Sequence, residues 1–351
     1  MTGEIRAVPE FRGNMQRPLD ELAGWTARRH EEAIDPGLPI IDPHHHLWHD
    51  ERGRYLLDEL LADLNSGHNI VATVFLQAKS MYRRDGPEAM KPVGEVEFAN
   101  GMAAAWASGQ YGTARICEAI VGHADLRTPD IEAVLEALAA AGNGRLRGIR
   151  HGATWDDGSA AYGRSFSPRY MLADPSFRRG YAALGRYGLS FEAWIYHTQL
   201  TELGGLLQHF PDTPVVLNHV GGVLGIPPYV DRREVFESWR ARLRELSAFP
   251  HLHVKVGGLG MLYCGWDFHT RPLPPSSLEL ATAWRPYIET CIELFGAERC
   301  MFESNFPVDK QSCGYGVLWN AFKRVVAGCG DAEKAALFHD TAAGFYRLQR
   351  S

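Results

Sequence analysis

From residue 38 onward, short apolar, β-branched runs alternate with longer helix-like stretches, and the alternation repeats eight times. Strand-like runs occupy 40–46, 70–77, 119–125, 146–152, 189–195, 215–220, 253–257 and 301–306. Helix-like stretches follow them at 56–64, 93–108, 131–141, 177–187, 200–210, 235–249, 278–295 and 318–327, and a last helix over 332–348 closes the pattern. Helix boundaries are marked: Thr128-Pro129-Asp130 opens one helix, Gly142 follows its end, and Asp174-Pro175 opens another. Eight β-then-α units with no break in composition predict one (β/α)8 TIM barrel over 38–351. An open doubly wound sheet is disfavoured, because no glycine-rich phosphate loop follows an early strand. Gly257-Gly258-Leu259-Gly260 lies in the seventh unit and reads as a turn. Residues 1–37 form an N-terminal arm, helix-like over 19–33 and set off by Asp35-Pro36-Gly37. Capping a barrel end and embracing a second subunit, as in a homo-oligomer, are both open to such an arm.

Composition narrows the function. The 351 residues are 45% hydrophobic and 22% charged, which is the balance of a soluble globular chain. A net charge of -6 supplies no basic field, so nucleic acid is not the expected partner. No apolar run approaches the ~20 residues of a membrane helix, and no hydrophobic segment follows the N-terminal charges as in a signal peptide. Arg28-Arg29 lacks the apolar stretch that follows a twin-arginine export signal. The six cysteines contain no Cys-x-x-Cys pair, and the expectation is reduced thiols in a cytoplasmic protein. A small-molecule substrate is what remains.

The chemistry gathers at strand ends. In Leu38–Trp48, LPIIDPHHHLW, strand alternation sends His44 and His46 to one side and His45 to the other. Later strands add Arg150 and His151, then His197, His219 and Lys255, and finally Glu303 and Asn305 followed by Asp309. Charged groups inside a barrel are costly unless paired or bound to metal or substrate, so their convergence is read as a site. His197 alone also reads as a structural histidine. The long loops at 79–92, 153–174, 221–232 and 259–277 carry arginines and aromatics, among them Tyr82, Arg83, Tyr162 and Arg164. Together they suit an anionic small molecule, although any single loop arginine reads as solvated.

The Asp-x-His-x-His of strand one, the histidine ending strand six and Ser-Asn-Phe-Pro-Val-Asp at strand eight resemble the amidohydrolase superfamily. Within it the resemblance is to the amidohydrolase-related branch of pyrone-dicarboxylate and sugar lactonases, over 38–348. YRRDGPEAMKPVGEVEFANG and MFESNFPVDK mark a separate subgroup. The resemblance implies a paired site at His44 and His46, a strand-six partner at His219 and a substrate-carboxylate arginine at Arg150. It also places Asn305 where the branch carries the aspartate that activates water. Three readings follow. Asp309 supplies the base from the loop; Glu303, on the same strand face but deeper, does so unless it pairs with Lys255 or Arg150; or His44, His46 and His219 carry the proton transfers. The three histidines can hold one divalent metal, zinc or manganese, and a metal-free mechanism also stands within the branch. The expected reaction is the opening of a lactone of a small acidic or polyhydroxylated molecule. Arg150, Lys255, Tyr82, Arg83 and His197 are the expected substrate contacts. A metal-dependent, non-oxidative decarboxylase of an aromatic or unsaturated acid is the alternative, and a non-catalytic binding barrel the third.

Overall fold

A computed structural model of the chain describes residues 17–51, 53–157 and 167–348. The loop residues Tyr162 and Arg164, and residues 1–16 of the arm, lie outside that set. Eight parallel strands run in sequence order around one sheet: β1 (Pro39–His45), β2 (Asn69–Leu76), β3 (Arg115–Gly122), β4 (Leu146–Ile149), β5 (Ser190–Ala193), β6 (Val215–Leu217), β7 (Leu252–Val256) and β8 (Cys300–Phe302). The barrel closes just beyond the strand ends. Asn305 N donates to His44 O at 2.9 Å and His46 N to Phe306 O at 2.8 Å, in a parallel bridge between His45 and Phe306. Asp42 reinforces the seam: its carboxylate accepts from Ser304 N at 3.0 Å and from the Tyr315 hydroxyl at 2.9 Å.

The outer layer comprises α1 (Leu57–Leu64), α2 (Val93–Ala107), α3 (Ile131–Gly142), α4 (Pro175–Leu184), α5 (Leu200–His209), α6 (Arg232–Leu246), α7 (Ser277–Phe295) and α8 (Tyr315–Val325). Their apolar faces pack on the strands, and the starts are locally encoded. Asp174 accepts from Ser176 N and Phe177 N ahead of Pro175, and Ser276 with Glu279 forms a capping box on α7. Inside the barrel Ile41, Val74, Val121, Val216 and Met301 form a second apolar layer. The C-terminal segment contributes Ala342, Ala343 and Tyr346 to that layer and so plugs the N-terminal end of the strands.

Three features depart from the sequence expectation. A short hairpin, Trp48–Asp50 with Gly53–Tyr55, follows β1 where a loop is expected. The closing helix is interrupted by a π turn at Ala336–Asp340. The sixth strand stops at Leu217, because His219, Val220, Gly221 and Gly222 all have positive φ and turn the chain sharply toward the mouth. The described part of the arm, with a helix at Leu19–Thr26, runs along the loops after β7 and β8. Trp25 and Arg28 donate to the carbonyls of Arg271 and Pro272, and Gln311 donates to Arg17 O. Among the described residues no helix is long and apolar enough to cross a membrane.

Candidate active site

The polar residues predicted at the strand ends do converge, and Glu303 is their centre. Its side chain is fully buried, and its two oxygens serve two histidines. Oε1 accepts from His219 Nδ1 at 2.7 Å and from His219 N at 3.1 Å, while Oε2 stands 2.6 Å from His44 Nδ1. His46 Nδ1 donates instead to Leu76 O at 2.9 Å. His219 and His46 thus each have an acceptor for a proton on Nδ1, which leaves their Nε2 lone pairs as bases, whereas His44 Nε2 accepts from Arg150. Burial holds all three well below the ordinary histidine range, so they are neutral; Lys255 adds to the effect on His44, and Arg150 to that on His46 and His219.

Cations surround this floor. Arg150 Nη1 donates to His44 Nε2 at 3.1 Å, and its Nη2 donates to Gln77 O. Lys255 Nζ lies 3.4 Å from His44 Nδ1 and donates to Glu192 Oε2 at 2.9 Å. Glu192 in turn accepts from Asn218 and from the Tyr346 hydroxyl. Burial pushes the Glu303 carboxyl up to about 8, against the pull of Lys255. The sequence offered Lys255 or Arg150 as the partner of Glu303; the direct partners are the two histidines, and Lys255 belongs to Glu192.

Asn305 lines the cavity at the place of the expected aspartate, with φ of 54°. Its Oδ1 faces His46 Nε2 at 3.3 Å, and its Nδ2 donates to Asp309 Oδ1 at 2.7 Å. Asp309 Oδ2 accepts from Gly260 N at 2.9 Å, so both oxygens of Asp309 are engaged behind Asn305 rather than in the cavity. Burial pushes its carboxyl up to about 8.

The cavity has a volume of about 220 Å³. That is below the ~300–1,000 Å³ of pockets for drug-sized ligands, so the occupant is small. Trp48, Trp194, Met261 and Val308 give it apolar walls; His46, His219, Asn305, Gln77, Lys79, Arg150 and Thr154 are its polar lining. The structure does not bring every expected contact here. Arg83 pairs with Glu97 on the outer surface, with Nε donating at 3.1 Å. Tyr82 is half-buried in the same loop and does not line the cavity. His197 accepts from Leu224 N at 3.3 Å and borders a separate cavity with Tyr229. His45 bonds Thr73 Oγ1 at 2.9 Å on the other side of β1.

Sequence reading passed over Lys79, Trp48, Trp194 and Glu192, and took the glycine loop for a turn alone. Glu192 carried the same signal as Lys255, a charge inside an apolar strand. The glycine run after β7 is more than a turn. A Cβ on Gly258, whose φ is 65°, would stand 2.3 Å from His219 Nδ1, and one on Gly257 would stand 2.5 Å from Glu303 O. Only bare backbone passes this close to the floor.

A divalent cation fits the donor set. His44, His219 and Glu303 offer ligand atoms that lie within 4.8 Å of one another, all buried, and are the one such group among the described residues. Two imidazoles and a carboxylate are a known catalytic zinc set. His46, expected as the third ligand, is outside that group and turns its Nε2 to Asn305.

The amidohydrolase family model Amidohydro_2 matches residues 41–348. The chain belongs to the amidohydrolase family. As a member it is a hydrolase, and two relatives share nearly its whole length. The uncharacterized protein y4mH of Sinorhizobium fredii is 33% identical over 334 residues, covering 89% of this chain and 99% of that protein. The L-fucono-1,5-lactonase of Burkholderia multivorans is 27% identical over 327 residues, covering 89% and 97%. A crystal structure of an amidohydrolase from Burkholderia multivorans with bound zinc superposes with a TM-score of 0.69 at 25% identity, over 88% of this chain and 99% of that one.

Proposed function

We propose that this amidohydrolase opens the ring of a small lactone, releasing a hydroxy acid. The observation that carries the reading is the neutral His46 beside Asn305, at the edge of the floor built from His44, His219 and Glu303. The lactonase relative supports it. A divalent metal, zinc or manganese, would be held by His44, His219 and Glu303, and when bound would polarise the carbonyl and lower the pKa of water. The chain's own residues supply the rest. The apolar walls orient the ring, and Arg150 binds substrate oxygen. His46 Nε2 takes the proton of the attacking water. The new N–H gains Asn305 Oδ1 as acceptor, and Asp309 holds that amide in place through Nδ2. As the acyl–oxygen bond breaks, the imidazolium returns the proton to the departing ring oxygen. Asn305 thereby has a positive role: it stabilises the charged histidine without being a base itself.

The six cysteines are free thiols, five of them buried, which supports a reducing, cytoplasmic setting. Acid release from a panel of sugar and dicarboxylic lactones, followed with a pH indicator, tests the activity. His46→Ala is expected to lower kcat by about 10²–10⁴ with an unchanged melting temperature. Acid release from none of the lactones, or carbon dioxide release from an aromatic acid, would contradict the reading.

A further inference from the structure

Lys79 follows β2 at the wall of the cavity and is held there by its neighbours. The amides on both sides of it, Ala78 N and Ser80 N, donate to one carboxylate oxygen, Glu95 Oε1, at 2.7 and 3.0 Å. Glu95 is fully buried on α2. This clamp fixes the loop with Lys79 at φ of 59°, a left-handed conformation that a side-chain-bearing residue adopts only when its surroundings impose it. The result is a lysine side chain presented to the cavity alongside Arg150.

The two cations differ in what they have left to offer. Arg150 commits one N–H of each Nη atom to His44 and Gln77 and keeps the others for substrate oxygen. Lys79 has no carboxylate within ion-pairing distance and no hydrogen-bond acceptor among the described residues. Burial, with the like charge of Arg150 second, holds its ammonium below the ordinary lysine range. An exposed ammonium at the cavity wall, beside a second cation and with no partner of its own, is open to an anion that enters the cavity. An anionic group carried by a substrate in the cavity would meet it there.

We infer that Lys79 is a specificity residue that binds a carboxylate carried by the substrate in addition to its lactone carbonyl, so that the enzyme prefers anionic lactones to neutral ones. The inference rests on the lactone reading for its reaction but not for its binding. Two measurements separate them. The first compares galactaro-1,4-lactone with galactono-1,4-lactone, which share a ring and differ by a carboxylate. The wild-type enzyme is expected to favour the acidic lactone at least about tenfold in kcat/KM, mainly through KM. Lys79→Met should erase that preference and Lys79→Arg should keep most of it. The second is a calorimetric titration with the ring-opened acids galactarate and galactonate, which needs no turnover. Galactarate should bind at least about tenfold more tightly than galactonate to the wild type, and no more tightly than it to Lys79→Met. Failure of both lactones to react, with the galactarate preference intact, would sink the reaction and spare the binding claim. Galactarate binding no tighter than galactonate, or a Lys79→Met loss equal for both acids, overturns it.

Discussion

Asn305 shares a buried chain of contacts with two titratable neighbours, His46 at 3.3 Å and Asp309 at 2.7 Å. An aspartate at 305 would put two buried carboxylates in direct contact, and one would have to carry a proton. Asn305→Asp is therefore expected to destabilise the fold by about 3 kcal/mol and to lower kcat/KM at least tenfold. Exchanging the pair, Asn305→Asp with Asp309→Asn, rebuilds an amide–carboxylate bond in the opposite order and should recover the melting temperature, as thermal melts of the three variants would show. Glu303→Gln removes the negative charge between two imidazoles and turns one of the oxygens that face them into an amide donor. It should lower kcat by about 10²–10⁴ with little change in KM, read by steady-state kinetics. Residue identities at the strand ends were legible because a charge in an apolar strand stands out. The partner of Glu303 was not: reach across the barrel from β8 to the ends of β1 and β6 is a tertiary property that local spacing does not encode.

Among the elements, the loop after β7 and the turn after β6 depend on one another. His219 reaches Glu303 by a run of positive-φ residues, and Gly258 leaves room for its ring. Gly258→Ala would force a Cβ to within 2.3 Å of His219 Nδ1, at a φ of 65°. It should cost more than 100-fold in kcat/KM and lower the melting temperature. Gly144→Ala, at φ of 80° with nothing within 4 Å, is the matched control. It should cost only the conformational strain, about 1 kcal/mol, with activity retained. The eight strands and their helices follow from apolar pattern and capping residues. The hairpin after β1 and the π turn of the C-terminal segment do not, because both answer to packing: Trp48 walls the cavity, and Tyr346 must reach Glu192 inside the barrel.

The whole molecule carries many buried neutral histidines, and this fixes its response to acid. Burial holds His45 and His151 down to about 3, and His197 and His253 down to about 4. His44, His46 and His219 are shifted in the same direction. Below the ordinary histidine pKa the unfolded chain takes up protons that the folded chain refuses. Stability from these groups is thus complete above about pH 6.5 and is lost as the pH falls toward 3, by up to ~1.4 kcal/mol per pH unit for each. Glu303 and Asp309, pushed up to about 8, act the opposite way, but the histidines outnumber them. Melting curves should show a lower transition temperature at about pH 5 than at about pH 7.5. The central claim is that water attacks a lactone carbonyl in this cavity, and turnover in ¹⁸O-labelled water tests it most directly. Mass spectrometry of the product should find one heavy oxygen, in the new carboxylate, and the His46→Ala enzyme should leave the lactone unlabelled and intact. A product without the label, or one that has lost carbon dioxide, would contradict it.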